Sequence, residues 1–502
     1  MKTILKKGLI VSSQALDGNP LKHPDYLSIM ALAAERGGAV AIRANGYDNI
    51  IAMKSRVSVP VIGLNKFQDK AGTTIITPSF ASAKEIAEAG ADVIALDATF
   101  RKSEIKEDVK TLIARIHDEL HLPVLADIST AEEAIYAEQL GADYISTTLA
   151  GYTKDKPYAP EEKYLPDFEV IEKILNSGVK IPVIAEGRFW SPSDLAQAMQ
   201  MGCHAIVIGK AITNPMAITE YFCKAVETGL QNRERAQKTE DRNENTKDID
   251  TLSTYDILKK INREDGTVAA KVKMALPAIA KFIDGIYDNF AGGGRLLYCG
   301  AGTSGRLSVA DAAECAPTYG VSNDRVVATM AGGKNAVFRA SENKEDSYED
   351  GWKAAEDLAI TEKDTVIGVS ANGNAQFCLG FMAQAKACGT KTAALTNNLD
   401  TEMAAAADYP IEILTGAEVV KGSTRMKAGT AQKMVLNMIS TALFVKSGCV
   451  ISNLMVNINP NNIKLKNRAV AMLSILTGKD ETACRALLEE NGWSIRAALL
   501  KA

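Results

Sequence analysis

The sequence predicts an α/β protein that begins with a (β/α)8 TIM barrel. A second α/β domain with a parallel sheet follows, and a small helical segment ends the chain. Two observations carry this prediction. Short apolar segments alternate with helical segments throughout, and about eight such pairs occupy the first half of the chain. A chain of 502 residues also exceeds what one hydrophobic core usually holds. For the first half, an open doubly wound sheet is the alternative.

Composition excludes several classes of protein. The net charge of −4 gives no electrostatic footprint for nucleic acid or an anionic membrane. No apolar run is long enough to span a bilayer, and no secretory signal is visible. The 8 cysteines are scattered without a Cys-x-x-Cys pair, which is typical of reduced thiols and not of a zinc site. We therefore expect a cytoplasmic protein with no metal and no other cofactor.

The predicted barrel strands are short and apolar. Gly90, Gly141 and Gly202 stand where three intervening helices should end, as glycine often does. The strands are Leu9–Ser13, Val40–Ala44, Val61–Lys66, Val93–Ala98, Val124–Ile128, Tyr144–Thr148, Val183–Glu186 and Ala205–Ile208.

Polar residues collect at the carboxyl ends of these strands, where barrel enzymes place their chemistry. Gly187 and the Gly209-Lys210 turn stand where such barrels hold a phosphate. Any one polar residue could be a salt bridge or a cap, but together they favour a site. They are Gln14, Arg43, Lys66, Asp97, Asp127, Glu186 and Arg188.

Composition changes after the barrel. Residues 229–250 are almost purely polar and charged, which predicts a solvated linker between domains. The predicted organisation is a barrel domain at 1–228, the linker at 229–250, a second domain at 251–475 and a helical segment at 476–502.

The second half has the pattern of a layered α/β sheet. Helical spacing from Ile257 to Phe290 predicts two helices. Because all four histidines lie in the first half, proton transfer in the second half must use other side chains. The predicted strands are an apolar run at Leu296–Tyr298, then Val326–Met330, Asp364–Val369, Lys391–Thr396 and Tyr409–Ile413.

The stretch Cys299–Gly320 predicts a phosphate cradle. Its strand leads into a glycine-rich turn in which Thr303 and Ser304 offer hydroxyl groups, and a helix is expected from about Leu307. Glu314 follows, next to a turn that contains a proline. The spacing matches neither nucleotide-binding fingerprint, so a phosphorylated small molecule is the first hypothesis. A strand-to-helix turn without a ligand is the alternative.

The first half resembles N-acetylmannosamine-6-phosphate 2-epimerase. The resemblance implies that Lys66 and Glu186 form an acid–base pair at carbon 2 of the sugar. It also implies that Gln14, Arg43, Asp127 and Arg188, with Gly187 and Gly209, hold the sugar and its phosphate. Phe67 and Lys210 depart from the family pattern, which usually has a basic residue and a small residue there. The motifs are Ser12–Ala15, Ala41–Asn45, Ile94–Thr99, Ala126–Thr130, Thr147–Thr153 and Ile184–Arg188.

The second half resembles N-acetylmuramic acid 6-phosphate etherase, which has a sugar isomerase (SIS) fold. By resemblance, Glu314 and Glu345 are the two acid–base groups, and Thr303 and Ser304 bind the phosphate. Asn372 is a further candidate for substrate binding because its amide can donate hydrogen bonds. Arg425 and Lys427 either add positive charge to the site or are structural. Two departures stand out. The sequence Asn372–Ala375 replaces a usual Ser-Gly-Arg-Thr loop, and the C-terminal part is short. The motifs are Gly300–Arg306, Asp311–Cys315, Ala331–Gly333, Glu345–Ser347, Gly416–Val420 and Gly422–Lys433. Residues Thr239–Asn243 and Asp250–Thr254 also resemble the opening segment of this family, so a start of the second domain near Lys238 is the alternative to a linker over the whole of 229–250.

Together the resemblances imply a bifunctional amino-sugar phosphate enzyme. One half would interconvert N-acetylmannosamine 6-phosphate and N-acetylglucosamine 6-phosphate. The other would cleave the lactyl ether of N-acetylmuramic acid 6-phosphate to give the same product and D-lactate. The alternative is an active epimerase whose second half senses sugar phosphates or serves assembly. The expected partners are sugar phosphates and a second copy of the chain, without nucleic acid or membrane.

Overall fold

Parallel strands close into a barrel in the first part of the chain. The computed structural model describes residues 4–153, 156–159, 163–234, 238–339, 344–458 and 460–502. The chain divides into two units, Met1–Leu230 and Gln231–Ala502.

The first unit contains the predicted barrel. Within the described residues, the sheet is a closed barrel in which all neighbouring strands are parallel. Its strand order is β1-β12-β11-β8-β7-β6-β3-β2. Closure of the sheet excludes the open doubly wound alternative. The strands of this unit are β1 Gly8–Ser12, β2 Ala41–Asn45, β3 Val61–Leu64, β4 Lys66–Gln68, β5 Thr74–Ile76, β6 Val93–Asp97, β7 Val124–Asp127, β8 Tyr144–Ser146, β9 Tyr152–Thr153, β10 Lys156–Pro157, β11 Val183–Glu186 and β12 Ala205–Ile208.

Alternate residues of each barrel strand belong to different cores, as the period of a strand requires. In β6, Val93 and Ala95 join a cluster made mostly of strand residues, which fills the barrel. Ile94 and Leu96 instead join the cluster that links strands to helices. Both faces of the strand are therefore buried, and this explains the continuous apolar runs in the sequence.

Helices surround the barrel, and glycine ends three of them as predicted. Gly90, Gly141 and Gly202 all have positive φ just after α3, α5 and α7. The helices are α1 Pro24–Arg36, α2 Tyr47–Lys54, α3 Phe80–Glu88, α4 Val109–Arg115, α5 Ala131–Gln139, α6 Phe168–Asn176, α7 Pro192–Met201, α8 Lys210–Thr213 and α9 Pro215–Glu234.

The second unit is built on a parallel sheet with the strand order β14-β13-β15-β16-β17. Two short antiparallel strands, β18 and β19, lie outside that sheet. These elements confirm the predicted α/β class. The strands are β13 Leu296–Gly300, β14 Val326–Met330, β15 Thr365–Ser370, β16 Lys391–Thr396, β17 Tyr409–Glu412, β18 Val450–Ile451 and β19 Leu454–Met455.

Helices cover this sheet and form the end of the chain. No helix within the described ranges is long and apolar enough to cross a membrane. The helices are α10 Thr254–Asp265, α11 Val268–Ala291, α12 Gly302–Tyr319, α13 Gly333–Phe338, α14 Tyr348–Asp357, α15 Gln376–Ala387, α16 Glu402–Ala406, α17 Lys427–Lys446, α18 Ile463–Thr477, α19 Glu481–Glu490 and α20 Ile495–Leu499.

Helix α12 differs from its prediction at both ends. It starts at Gly302, about one turn before the expected start at Leu307, because the glycine-rich turn is itself helical. The helix also continues through Pro317, where a turn was predicted. A proline removes one backbone donor from a helix, but here α12 continues to Tyr319 and ends at Gly320, whose φ is 60°.

The polar segment predicted as a linker has defined structure over much of its length. Helix α9 continues to Glu234. From residue 238 the chain packs on the second unit, and Thr239, Asn243 and Thr246 are all buried. The Asn243 and Thr246 side chains donate to the carbonyls of Ala417 and Val419. These polar side chains therefore satisfy buried backbone acceptors, a use that composition alone does not distinguish from solvation.

The last three helices have a core of their own. Leu473, Cys484, Leu488 and Ile495 are buried together with residues that precede α18. The chain before α18 also contacts α12, because the Asn457 side chain donates to the carbonyl of Tyr319 at 2.6 Å.

Gly320 offers a test of this junction. We expect Gly320→Ala to lower the free energy of unfolding by more than the ~1–2 kcal/mol typical of an alanine in the left-handed region. The reason is that a Cβ at Gly320 overlaps the backbone carbonyl of Asn457. Urea denaturation of the full chain measures the difference.

The matched control is Gly478→Ala. Gly478 also ends a helix with positive φ, but no atom lies within 4 Å of a Cβ built there. Equal losses for the two variants would contradict the proposed clash.

Candidate active sites

A buried charge network occupies the carboxyl ends of three barrel strands. Arg43 of β2 is 1% exposed, and its Nη2 lies 2.5 Å from Oδ2 of Asp127 on β7. Its Nη1 donates to Oε2 of Glu186 on β11 and, at 2.8 Å, to the hydroxyl of Thr148. The Nε of Arg43 has no hydrogen-bond partner among the described residues. The strand ends thus hold one guanidinium between two carboxylates.

Burial changes the proton affinity of this network. Burial and the nearby Glu186 carboxylate raise the pKa of Asp127 to about 6, although Arg43 and the hydrogen bond from Thr148 oppose that shift. The two carboxylates raise the pKa of Arg43 despite the opposing effect of its burial. The guanidinium therefore stays charged, while the carboxyl of Asp127 titrates near neutrality.

The sequence predicted Lys66 at the end of β3, and this is wrong. Lys66 opens the β4–β5 hairpin that follows β3. The side chain of Asn45 accepts the Lys66 backbone N–H at 3.0 Å. The Lys66 ammonium donates to Oε1 of Gln14 at 2.7 Å, and Nε2 of Gln14 donates to the Ser12 hydroxyl. Gln14 therefore orients the amino group.

The pKa of Lys66 is lowered. Surrounding protein desolvates the amino group even though solvent reaches the residue, and the charge of Arg43 adds to the shift. Lys210 contributes in the same direction, while Glu186 and Asp127 oppose it. The neutral amine is consequently easier to form than in an ordinary lysine, and a neutral amine can accept a proton.

Arg188 lies apart from this network. Its guanidinium donates to the carbonyls of Leu165 at 2.7 Å and Ala150 at 3.1 Å. It also lies against the rings of Tyr152 and Tyr158, and its Nη2 is 4.0 Å from Oδ2 of Asp167. The structure thus gives Arg188 contacts with the loop after β8. Its neighbour Gly187 has a φ of 116°, and Gly209 precedes α8 beside Ser12.

Thr148 is a site residue to which the sequence assigned no role. Its hydroxyl lies 2.5 Å from Oδ1 of Asp127 and 3.0 Å from Oε2 of Glu186, so it bridges both carboxylates. Its position just after β8 is the signal that could have identified it.

Asp97 has partners of its own. It binds Lys106 at 3.0 Å and Arg101 at 2.5 Å, and Arg101 also donates to the carbonyl of Thr74 on β5. This group connects the hairpin that carries Lys66 to barrel strand β6.

In the second unit, the predicted cradle lies at the carboxyl end of β13. Thr303 and Ser304 occupy the first turn of α12, and Ser304 is buried. Gly300 and Gly305 lie so close that a Cβ on Gly300 would be 2.8 Å from the Gly305 nitrogen. A Cβ built on Gly429 of α17 would be 3.6 Å from Cγ2 of Thr303. The cradle therefore packs against the first turn of α17.

Loop 370–375 has a fixed turn. The side-chain oxygen Oδ1 of Asn372 accepts from the Ser370 hydroxyl at 2.8 Å and from the Asn374 backbone N–H at 3.1 Å. These bonds use its acceptor and leave Nδ2 as the group that can donate to a ligand. Asn372 thus follows β15 at the same edge of the sheet as the cradle.

The two candidate carboxylates have different settings. Glu345 precedes α14, and its carbonyl accepts the Phe377 N–H at 2.9 Å, next to loop 370–375. Surrounding protein and the Asp346 carboxylate raise the pKa of Glu345. Glu314 is exposed, as Glu345 is, and it lies 11 residues after Thr303 in α12, which corresponds to about 16 Å between the two Cα atoms along the helix. That separation is longer than a hexose phosphate.

The start of α17 is structural. Lys427 is 2% exposed and pairs with Glu264 at 2.5 Å. Glu418 accepts the backbone N–H groups of Lys427 and Ala428 at 2.9 Å each and so caps the helix. Arg425, two residues before Lys427, is exposed and is therefore accessible to a ligand. Across the described residues, no cluster of three or more His, Cys, Asp or Glu side chains could hold a metal ion.

Three family models match the chain. Residues 27–228 match putative N-acetylmannosamine-6-phosphate epimerase. Residues 278–386 match the N-terminal SIS domain of glucokinase regulatory protein, and residues 343–442 match the SIS domain.

Relatives of known name match both units. N-acetylmuramic acid 6-phosphate etherase of Bacillus subtilis is 46% identical over 262 residues, which cover 52% of this chain and 86% of that protein. N-acetylmuramic acid 6-phosphate etherase 2 of Vibrio parahaemolyticus is 48% identical over 250 residues, or 50% of this chain and 83% of that protein. The solved N-acetylmannosamine-6-phosphate 2-epimerase of Clostridium perfringens is 41% identical with a TM-score of 0.42, and the match covers 44% of this chain and 94% of that one.

Fold and sites define a protein of two units, a TIM barrel with a buried charge network and a SIS domain with a glycine-rich cradle. The chain belongs to the N-acetylmuramic acid 6-phosphate etherase family through its second unit, which is fused to a barrel of the N-acetylmannosamine-6-phosphate epimerase type.

The lowered pKa of Lys66 predicts unusual reactivity. Because only the neutral amine reacts with acylating reagents, we expect Lys66 to be acetylated with a pH midpoint below the ~10.4 of a free lysine. Labelling with acetic anhydride between pH 6 and 11, read by mass spectrometry, measures the midpoint. The other labelled lysines provide the reference average, and a Lys66 midpoint at or above that average would contradict the expectation.

Proposed function

We propose that the chain is a bifunctional amino-sugar phosphate enzyme. The barrel interconverts N-acetylmannosamine 6-phosphate and N-acetylglucosamine 6-phosphate. The SIS unit converts N-acetylmuramic acid 6-phosphate and water to N-acetylglucosamine 6-phosphate and D-lactate. The buried Arg43–Asp127–Glu186 network with Lys66 beside it carries the first assignment, and membership of the etherase family carries the second. We place the enzyme in the cytoplasm, since its 8 cysteines are free thiols.

Epimerisation at carbon 2 needs a base on one face of the sugar and an acid on the other. The hydrogen on carbon 2 is acidic because the open-chain sugar has a carbonyl at carbon 1. In one direction the neutral amine of Lys66 takes this proton, and the protonated Glu186 carboxyl returns one to the opposite face. Turnover leaves an ammonium and a carboxylate, which is the starting state for the reverse reaction.

The remaining network residues serve this exchange. Arg43 stabilises the carboxylate of Glu186 whenever the proton has left it. Its unpartnered Nε is a buried donor that a sugar oxygen could satisfy. Gln14 holds the Lys66 amine, and Asp127 with Thr148 fixes the guanidinium. Gly187, Gly209 and Arg188 remain our candidates for the phosphate end of the sugar.

The etherase reaction also needs two acid–base groups. A base removes the carbon 2 proton, the bond from carbon 3 to the lactyl oxygen breaks, and an acid protonates the leaving oxygen. Water then adds to carbon 3 of the unsaturated sugar. We assign Glu314 and Glu345 to these steps. The raised pKa of Glu345 favours it as the acid. Thr303, Ser304 and Asn372 bind the phosphate and the sugar.

The position of Glu314 supports a homodimer. One sugar phosphate held at Thr303 does not reach a carboxylate about 16 Å along the same helix. We therefore propose that Glu314 acts on substrate bound by a second copy of the chain, so that each etherase site contains residues of two protomers.

A second candidate function follows from the match to glucokinase regulatory protein. The matched model is named for a regulatory protein, and the Asn372–Ala375 loop departs from the etherase pattern. Both observations favour a SIS unit that senses sugar phosphates without turnover. Binding without lactate release would establish this alternative.

Two barrel variants test the epimerase assignment. We expect Lys66→Ala and Glu186→Gln each to reduce carbon 2 deuterium exchange on N-acetylmannosamine 6-phosphate by at least ~100-fold, the contribution typical of a general acid or base. Proton NMR in deuterated water follows the exchange. Lactate release by the same samples is the control for folding, and undiminished exchange in both variants would show that the acid–base pair is wrong.

A mixing experiment tests the etherase site and its dimer. Glu314→Gln and Thr303→Val should each lose lactate release and keep epimerisation. If each site uses residues of two copies, unfolding and refolding the two variants together restores about a quarter of parental activity. Half of the dimers then contain one copy of each variant, and one of the two sites in such a dimer has both Thr303 and Glu314 intact. A lactate dehydrogenase assay reads the result. Separate refolding is the control, and no recovery on mixing would contradict the shared site.

A further inference from the structure

Two buried amides at the carboxyl end of β16 are only half satisfied. Asn397 is 0% exposed and Gln432 of α17 is 1% exposed. Nε2 of Gln432 donates to Oδ1 of Asn397 at 2.9 Å. Within the described part of the chain, Nδ2 of Asn397 and Oε1 of Gln432 have no partner. Exchanging oxygen and nitrogen in both amides would still leave one donor and one acceptor unpaired.

Such a pair is unfavourable for folding. An unpaired buried donor or acceptor carries its full desolvation cost, whereas apolar groups of the same shape carry none. Buried groups of this kind are few in native proteins, and each needs an explanation. Sequence alone did not indicate them, because an amide after a strand is ordinary.

The pair lies between the loops of the proposed etherase site. The backbone N–H of Asn397 donates to the carbonyl of Ala371 at 3.0 Å, directly before Asn372. Gln432 lies one turn after Gly429, the residue of α17 that packs on Thr303 of the cradle. The amide pair thus joins loop 370–375 to the helix that supports the cradle.

We propose that Asn397 and Gln432 are positioning residues of the etherase site, retained at the expense of stability because they fix Asn372 relative to Thr303. This inference rests on the proposed etherase function. Neither residue touches substrate. The pair acts through the backbone of Ala371 on one side and through α17 on the other.

The test replaces both amides in the full chain with apolar residues of similar size, as Asn397→Leu with Gln432→Met. We expect the KM for lactate release to rise at least 10-fold with a smaller change in kcat, because Asn372 and Thr303 bind the substrate. The urea midpoint of the second unit should stay equal or rise, since two unpaired polar atoms are removed. Epimerase activity of the same sample gives the enzyme concentration.

Thr392→Val is the matched control. Thr392 is 0% exposed on the same strand but at its opposite end, and its hydroxyl is satisfied by Asp408 at 2.9 Å. The Thr392→Val variant should lower the urea midpoint and leave KM unchanged. The double variant should instead raise KM without lowering the midpoint. An unchanged KM in the double variant would overturn the proposal. A KM change with a parallel loss of stability would do so too, because it would indicate a structural role.

Hydrogen exchange separates this inference from the etherase assignment. In the parent, N-acetylmuramic acid 6-phosphate should protect the backbone amides of residues 365–380, and the double variant should need at least 10-fold more ligand for equal protection. Protection without lactate release would contradict the etherase reaction. The change in the ligand concentration that gives protection would still test the role of Asn397 and Gln432. If the ligand protects neither parent nor variant, both proposals fail.

Discussion

The structure depends on the constraint that parallel strands in one sheet end at the same edge. In both units this edge gathers side chains that lie far apart in sequence. In the barrel it brings Arg43, Asp127 and Glu186 into one hydrogen-bonded group. A guanidinium buried to 1% exposure requires two carboxylates to balance its desolvation, and each of those carboxylates in turn requires the guanidinium. Closure of the barrel therefore places all three members of this network.

Much of this could be predicted from sequence, and the physical reason is local. The barrel and sheet strands are apolar on both faces, so their runs are visible, and most ends agree with the structure to within one or two residues. A polar residue that directly follows such a run, such as Asp127 or Glu186, is placed by the strand itself. For that reason the fold of the chain and the residues at the mouth of the barrel could be predicted from the sequence.

Other features depend on tertiary contacts and could not be predicted. Lys66 has the same spacing from the strand whether it continues β3 or opens a hairpin, and the two are distinguished by the pairing of Lys66 with Ile76 and by the bond to Asn45. Thr239 and Asn243 have the composition of a solvated linker, and only the family resemblance of Thr239–Asn243 indicated that the second domain could begin there. Their partners, the side chain of Asn398 and the carbonyl of Ala417, were not indicated. The contacts of Arg188 with Asp167, with backbone carbonyls and with aromatic rings are tertiary in the same way.

The hairpin of Lys66 divides the mouth of the barrel into two mechanically different parts. Its two strands pair with each other and not with the barrel sheet, and Asn45, Arg101 and the buried Ile76 of β5 attach them to it. Arg43, Asp127 and Glu186 instead lie on the barrel strands themselves. A substitution in the turn of the hairpin can therefore shift the Lys66 amine without moving the backbone of the guanidinium network, whereas a substitution at Ile76 also changes the packing inside the barrel.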